Sequence, residues 1–226
     1  MTKLRHLSNH PTVLKIMYYA WVAFPYPIRK PLTAWLLFWV LILKKLARVD
    51  RKNDPTPMED LGNLSFWGVP DVDIDDYSLE ITGLVDSPQR LSLAELEGMA
   101  AVERPVRMDC VGGFRNNATM KGVALATLFE AAQVSQNAVA AAFRCADGYY
   151  TTHLIADLLE HDAFMAYELN EMRIDRFGHP LRLVAPGAYG YKWAKWVTQI
   201  ELLGDFPNGY WETKGLPKRG RVGEVW

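Results

Sequence analysis

Apolar and polar residues alternate along Tyr77-Ser-Leu-Glu-Ile-Thr-Gly83, the period-two signature of a half-buried strand. A turn at Asp86-Ser-Pro88 follows, and Ser92-Leu-Ala-Glu95 has the spacing of a capping box that opens a helix. Pro105 to Cys110 again reads as a strand and runs into a Val111-Gly112-Gly113 loop. Beyond it the pattern predicts a helix over 123–132, a strand over 140–145 closed by Asp147-Gly148, and a short helix over 155–159. Strands over 163–170, 181–185 and 196–202 complete a strand-rich α+β domain that starts near Glu59.

The front of the chain has a different texture. Two apolar runs, 13–28 and 32–43, are broken by Pro25 and Pro27 at the end of the first and by Arg29, Lys30 and Pro31 between them. The uncharged stretch Leu32 to Leu43 falls short of the roughly 20 residues that a spanning helix needs. Tyr18, Tyr19, Trp21, Tyr26, Trp35 and Trp39 are residue types that favour a headgroup boundary. Residues 12–48 are therefore read as a membrane-associated helical hairpin, the alternative being an amphipathic arm packed on the domain or on a partner subunit. A linker is expected at Asn53-Asp54-Pro55-Thr56-Pro57, dividing the chain into a segment 1–58 and a domain 59–226.

Charge sharpens that division. The 226 residues carry a net charge of −1, but segment 1–58 has 10 Lys and Arg against 2 Asp and Glu, whereas the remainder is acidic. Basic flanks around apolar runs suit anionic lipid. If the second run crosses a bilayer, the cations Lys44, Lys45, Arg48, Arg51 and Lys52 keep the following domain on the cytoplasmic side. No twin arginine and no small-residue cleavage site mark a secretory leader. Only short Lys/Arg pairs occur, which argues against a nucleic-acid binder.

Cys110 and Cys145 are too few for a disulfide framework and lack CxxC spacing. The five histidines form no HExxH pair, and no P-loop is present. Taken singly, a cysteine after a strand is more often a small core residue, and surface Lys or Arg usually has no ligand.

Four blocks change the weight of those residues: LEITGLVDSPQRLSLAEL (79–96), MDCVGGF (108–114) with KGVALATLF (121–129), DGYYTTHLIADLL through AFMAYELNEM (147–172), and GHPLRLVAPGAYGYKWAKWVTQIEL (178–202). With a closing GYWETKGL (209–216), their order and spacing resemble the molybdopterin-binding domain of the sulfite oxidase family, which includes bacterial methionine-sulfoxide-reducing catalytic subunits. The resemblance implies a sulfite-oxidase-type α+β fold with mixed sheets and short helices, here preceded by an apolar helical N-terminal segment. It also implies a molybdenum-cofactor oxidoreductase acting on a small molecule, with a separate electron donor or acceptor. In that family the metal is held by the dithiolene sulfurs of one pyranopterin and a cysteine thiolate, a soft donor suited to a metal that changes oxidation state. Cys110 stands at the metal-ligand position. Arg182, Lys192 and Lys195 fall where cofactor phosphate and pterin are held, and Gly187 and Gly190 where backbone approaches the pterin. Cys145 lies where relatives can have a cofactor-proximal threonine, and Asn63 would replace part of a cofactor contact.

Departures bear on the substrate. Phe177 stands where relatives place a cofactor-touching histidine or asparagine. Phe114 and Met120 stand where relatives often have tryptophans. Leu64-Ser65-Phe66-Trp67 replaces an arginine and histidine that line the pocket of sulfite-oxidising members, so a sulfite site would lack its anion clamp. Arg115 and His153 are the remaining candidates to orient a substrate. A neutral sulfoxide or N-oxide fits such a site better than a dianion. The alternative is a family member with an altered pocket that serves as a structural subunit of a membrane complex.

Overall fold

The structure, a computed structural model, describes residues 16, 19–47, 54–65 and 68–224. The expectations placed on Phe66, Trp67, Tyr18 and the charged run 48–53 lie outside the described residues.

Two five-stranded sheets carry the domain. The first contains β1 (Ser78–Gly83), β2 (Gln89–Ser92), β5 (Ala140–Cys145), β6 (Tyr150–Leu154) and β10 (Val197–Leu203), in the order β2-β1-β10-β5-β6. β1 runs parallel to β10, with Glu80 opposite Gln199, and the other pairs are antiparallel. In β1 the alternation works as expected: Leu79 and Ile81 are fully buried between half-buried Ser78, Glu80 and Thr82. The second sheet is antiparallel, with β3 (Ala101–Asp109), β4 (Arg115–Ala124), β7 (Phe164–Leu169) and β8 (Met172–Arg173) in order, and β9 (Arg182–Val184) pairs with β7. One apolar cluster joins the inner faces, from Leu79 and Ile81 to Phe143, Phe164 and Ile200.

Helices α2 (Leu93–Gly98), α3 (Leu125–Ala131) and α4 (Ile155–Glu160) are short. Both halves of the capping box at α2 form: Ser92 Oγ accepts from the Glu95 backbone N–H, and Glu95 Oε2 accepts from Ser92 N–H at 2.8 Å.

β4 was not expected, because its first half reads as a polar Arg-Asn-Asn run. Asn116 and Asn117 are buried instead, and they hold residues 54–62 against the sheet. Asn116 exchanges two bonds with the backbone of Gly62 (3.0 and 2.8 Å), and Asn117 donates to the Asp54 carbonyl at 2.9 Å. The described part of the expected linker is thus strapped to the domain.

Ahead of it lies α1 (Tyr26–Leu46), longer than the second apolar run: Pro27 sits in the first turn, where a missing N–H costs nothing, and Pro31 lies inside the helix at the cost of the bond to the Pro27 carbonyl. Lys44 and Lys45 at its end complement the helix dipole. Its faces are inverted relative to an ordinary surface helix. Arg29, Thr33, Ala34, Leu37 and Lys44 turn inward and are buried, whereas Trp35, Phe38, Trp39, Leu43 and Leu46 are exposed. Among the described residues no helix is long and apolar enough to cross a membrane.

Candidate active site

Strand β3 delivers its last residues to the floor of the site, and the chain then reverses through Cys110–Phe114 into β4. Cys110 N–H donates to the Phe114 carbonyl at 2.9 Å and Gly113 N–H to the Cys110 carbonyl at 3.0 Å; Gly113, at φ +92°, supplies the left-handed geometry of that reversal. The Gly112 N–H points at Cys110 Sγ from 3.3 Å. Burial pushes the Cys110 thiol up to about 11, so it is neutral unless a cation takes it as thiolate.

The thiol lines a cavity of about 360 Å³, together with Arg182, Lys195, Asn63 and Gly190. Arg182, at the start of β9, donates Nη1–H to the Phe177 carbonyl at 2.8 Å, while its Nε is buried with no partner. Burial pulls this guanidinium down to about 10. Lys195 donates to Asn63 Oδ1 (2.8 Å), the Leu64 carbonyl (2.8 Å) and Ser65 Oγ (2.7 Å), and its ammonium lies 4.6 Å from the centre of the Trp196 ring. Burial, with the Arg182 charge beside it, pulls Lys195 down to about 7. Neither cation has an ion-pair partner among the described residues.

A buried thiol, two desolvated basic groups with no carboxylate in salt-bridge contact, and an orphaned guanidinium N–H surround one cavity, whose lining includes the carboxylate of Asp147. This donor set fits a ligand that brings a soft metal and anionic groups. Five sequence-derived candidates, Cys110, Arg182, Lys195, Asn63 and Gly190, therefore converge.

Four others do not. Lys192 belongs to the same turn as Gly190, but its side chain points the opposite way and is fully buried. It pairs with the Glu212 carboxylate and donates to the carbonyls of Thr152 (2.5 Å) and Lys218 (3.1 Å). Its charge is satisfied inside the protein, away from the lining of the cavity around Cys110 where the cofactor role was expected. His153 is buried in β6, edge-on to Phe143, and donates from Nε2 to the Lys192 carbonyl at 2.9 Å, away from the cavity lining. Burial, helped by Lys192, drives it down to about 3, so the ring is neutral at ordinary pH. Arg115 makes a two-pronged contact with Asp109, Nε to Oδ1 at 3.1 Å and Nη2 to Oδ2 at 2.9 Å, which turns it away from the cavity. Cys145 is buried at the end of β5 and does not line the cavity.

Other lining residues escaped sequence reasoning. Asp147 and Tyr149 follow β5 at the turn, and Trp193 lies beside Arg182. More unexpected are Trp21, Thr33, Leu36, Leu37 and Val40 from the front of the chain. Lys44, one turn beyond Val40, donates to Asp109 Oδ1 at 2.8 Å, next to the Cys110 thiol. Burial opposes ionisation of Asp109, but bonds from Arg115 and Lys44 outweigh it and hold the carboxylate below its usual range. A signal for this docking is present: Arg29, Thr33 and Lys44 line up with Leu37 on one face of a helix whose other charged residues are Lys30 and Lys45.

Residues 66–211 match the sequence profile of the oxidoreductase molybdopterin binding domain. The chain is 31% identical over 150 residues to the uncharacterized oxidoreductase YuiH of Bacillus subtilis, covering 66% of this chain and 76% of that one. It is 32% identical over 154 residues to the protein-methionine-sulfoxide reductase catalytic subunit MsrP of Gluconobacter oxydans, covering 60% of this chain and 49% of the relative. Against several curated relatives it spans only about half of their length. The sulfane dehydrogenase SoxCD from Paracoccus pantotrophus shares the fold, with a TM-score of 0.64 at 21% identity over 68% of this chain and 45% of that one.

Proposed function

The chain belongs to the oxidoreductase molybdopterin-binding domain family, and on that premise we propose that it is the catalytic subunit of a membrane-held enzyme that reduces a neutral oxo compound, a sulfoxide or an N-oxide. The observation that carries the reading is the convergence of the Cys110 thiol with Arg182 and Lys195 around one cavity.

In this reading Cys110 is the protein's metal ligand, Arg182 and Lys195 receive the anionic part of the molybdopterin, and Gly190 lets backbone approach it. The orphaned Arg182 Nε then gains an acceptor, and Lys195 gains an anionic partner besides the more distant Asp147. When bound, the molybdenum cofactor supplies two-electron oxygen-atom transfer. For a sulfoxide the S–O bond breaks, two electrons and two protons enter, and a sulfide and water leave. The chain's own contribution is to fix the thiolate at the end of β3, neutralise the pterin's charge and keep water from the reacting atoms with Phe114, Trp193 and Leu216.

The choice of a neutral substrate follows from charge. A sulfite dianion needs an uncommitted cation beside the metal. Arg115 is held by Asp109, and Arg182 and Lys195 are assigned to the cofactor. Membrane attachment is supported by the outward face of α1, where Trp35, Phe38, Trp39 and Leu43 stand exposed beside exposed Lys30 and Lys45 in a strongly basic segment. An electron donor at the same membrane would complete the cycle. The cavity with its unpaired cations favours this reading over a purely structural subunit, which would have no need of them.

Steady-state assays decide between substrates. With a reduced viologen dye the enzyme should turn over methyl sulfoxides, and with sulfite and an artificial acceptor the rate should be negligible. Robust sulfite oxidation that survives in membrane-free preparations would overturn the substrate assignment.

A further inference from the structure

The cavity around Cys110 is closed on one side by a part of the chain outside the two sheets. Helix α1 is pinned at both ends of this wall. Near its start Thr33 packs so that a side chain added at Gly215 would meet Thr33 Oγ1 at 3.3 Å. At its end Lys44 is tied to Asp109 at 2.8 Å, and Val40 Cγ1 would lie 3.8 Å from a side chain added at Gly113. Between these anchors Leu36, Leu37 and Val40 line the cavity.

The anchoring is expensive to break. Lys44 and Asp109 side chains are 8% and 5% exposed, so separating them would leave a charge in a desolvated site. A helix that merely tethered the domain to a surface would gain nothing from such a contact beside a metal ligand. Leu37 is buried at 6% exposure and serves the packing of the helix. Leu36, by contrast, is 40% exposed while it also lines the cavity, so the cavity reaches solvent beside it. Val40 is half-buried and faces the Cys110 loop. The pair offers apolar surface along the approach to the thiol without a polar group of its own.

We infer that α1 is a working wall of the substrate pocket: Leu36 and Val40 bind the non-reacting substituent of the substrate, and that substituent is apolar. The inference rests on the proposed oxo-reductase reading for the identity of the reacting group. The wall explains why the inward stripe of α1 carries the helix's buried polar anchors, Arg29, Thr33 and Lys44, while Leu36, Leu37 and Val40 line the cavity; Thr33 lines it too, with its hydroxyl donated to the Arg29 carbonyl at 2.8 Å. It also makes specificity a property of the N-terminal segment, since a pocket wall discriminates by roughly 10- to 200-fold for each methylene-sized change in fit.

The test separates binding from turnover. Sulfones carry the substituents of the corresponding sulfoxides and serve as inert probes, so the full-length protein is titrated by NMR with methyl phenyl sulfone and with dimethyl sulfone. The wild type should prefer the phenyl compound, and the preference ratio should fall by about 10-fold in L36S/V40S. A second variant, V40F, narrows the same wall and should also lower the ratio; thermal unfolding checks that each variant is folded, and V40F decides if L36S/V40S is not. The kcat/KM ratio for methyl phenyl over dimethyl sulfoxide should move in parallel, through KM more than kcat. No preference in the wild type, or a preference that survives both substitutions, overturns the wall. A phenyl preference that both variants reduce, in a protein that turns over no sulfoxide at all, upholds the wall and refutes the oxo-reductase reading instead.

Discussion

Replacing Lys192 by methionine should cost the protein fold stability and leave its cofactor site loaded. The Lys192 ammonium is fully buried, pairs with a Glu212 carboxylate that is 1% exposed, and fills the carbonyls of Thr152 and Lys218. Glu212 Oε2 already has no partner, so the carboxylate depends on this one cation. Removing the cation leaves a buried, uncompensated anion and two unsatisfied carbonyls, a loss of about 3–5 kcal/mol. For a chain of this size that corresponds to a fall in Tm of roughly 6–20 °C. A double-mutant cycle isolates the pair: Lys192→Met/Glu212→Gln removes the stranded charge and should recover about half of the loss, because the carbonyls of Thr152 and Lys218 stay unpaired. Urea unfolding of the four proteins, with pterin content measured on the folded fraction, gives both readouts. A Lys192→Met protein that keeps its Tm within about 2 °C and loses its pterin would refute the structural assignment and return Lys192 to the cofactor site.

Three further outcomes follow from the same geometry. Cys110→Ser should abolish oxo-transfer activity and change the metal's spectroscopic signal, since a hydroxyl is a harder and far less acidic donor, whereas Cys145→Ser should change neither; equal effects of the two substitutions would contradict a single thiolate ligand. Acid stability should depend on His153, held neutral down to about pH 3 in the folded chain. Below its unfolded value of 6.5 the unfolded chain binds a proton that the folded one refuses, so stability is lost as pH falls through that window, by about 2 kcal/mol at pH 5. The slope of stability against pH between about 4 and 6 should shrink by roughly one proton in His153→Gln, and an unchanged slope would show that the imidazole titrates normally. Vesicles of anionic phospholipid should retain the full-length chain at low salt, and W35S/F38S/W39S should release it; equal retention of that variant would remove the outward face of α1 from the membrane reading.

Much of the sheet framework is visible in the chain because its strands alternate cleanly or carry a continuous apolar run. Ala140–Cys145 is found at its expected limits, fully apolar inward, with Arg144 alone exposed. β4 was hidden because its polarity serves the protein interior: Asn116 and Asn117 satisfy the backbone of residues 54–62, a contact more than 50 residues distant in sequence. The site divides along the same physical line. Cys110, Arg182 and Lys195 stand out through the block pattern around them, and they meet in space. Lys192 shares that pattern, yet the tight turn Gly190–Lys192 sends consecutive side chains in different directions, Tyr191 toward the cavity and Lys192 toward Glu212. A sequence motif fixes the residues of a turn, not which of its cations already has a buried partner. The docking of α1 depends on Lys44 meeting Asp109 across 65 positions, a tertiary contact with no local signature beyond the polar stripe that makes it.

A molybdenum cofactor held by Cys110, Arg182 and Lys195 is the centre of the proposed function. Its most direct test is the metal and pterin content of the full-length protein, purified from a host that makes the cofactor. About one molybdenum per chain, with a fluorescent pterin released on denaturation and both lowered in Arg182→Met, is the expected result. A folded, metal-free and pterin-free protein from the same host would contradict the account and leave the chain as a structural subunit.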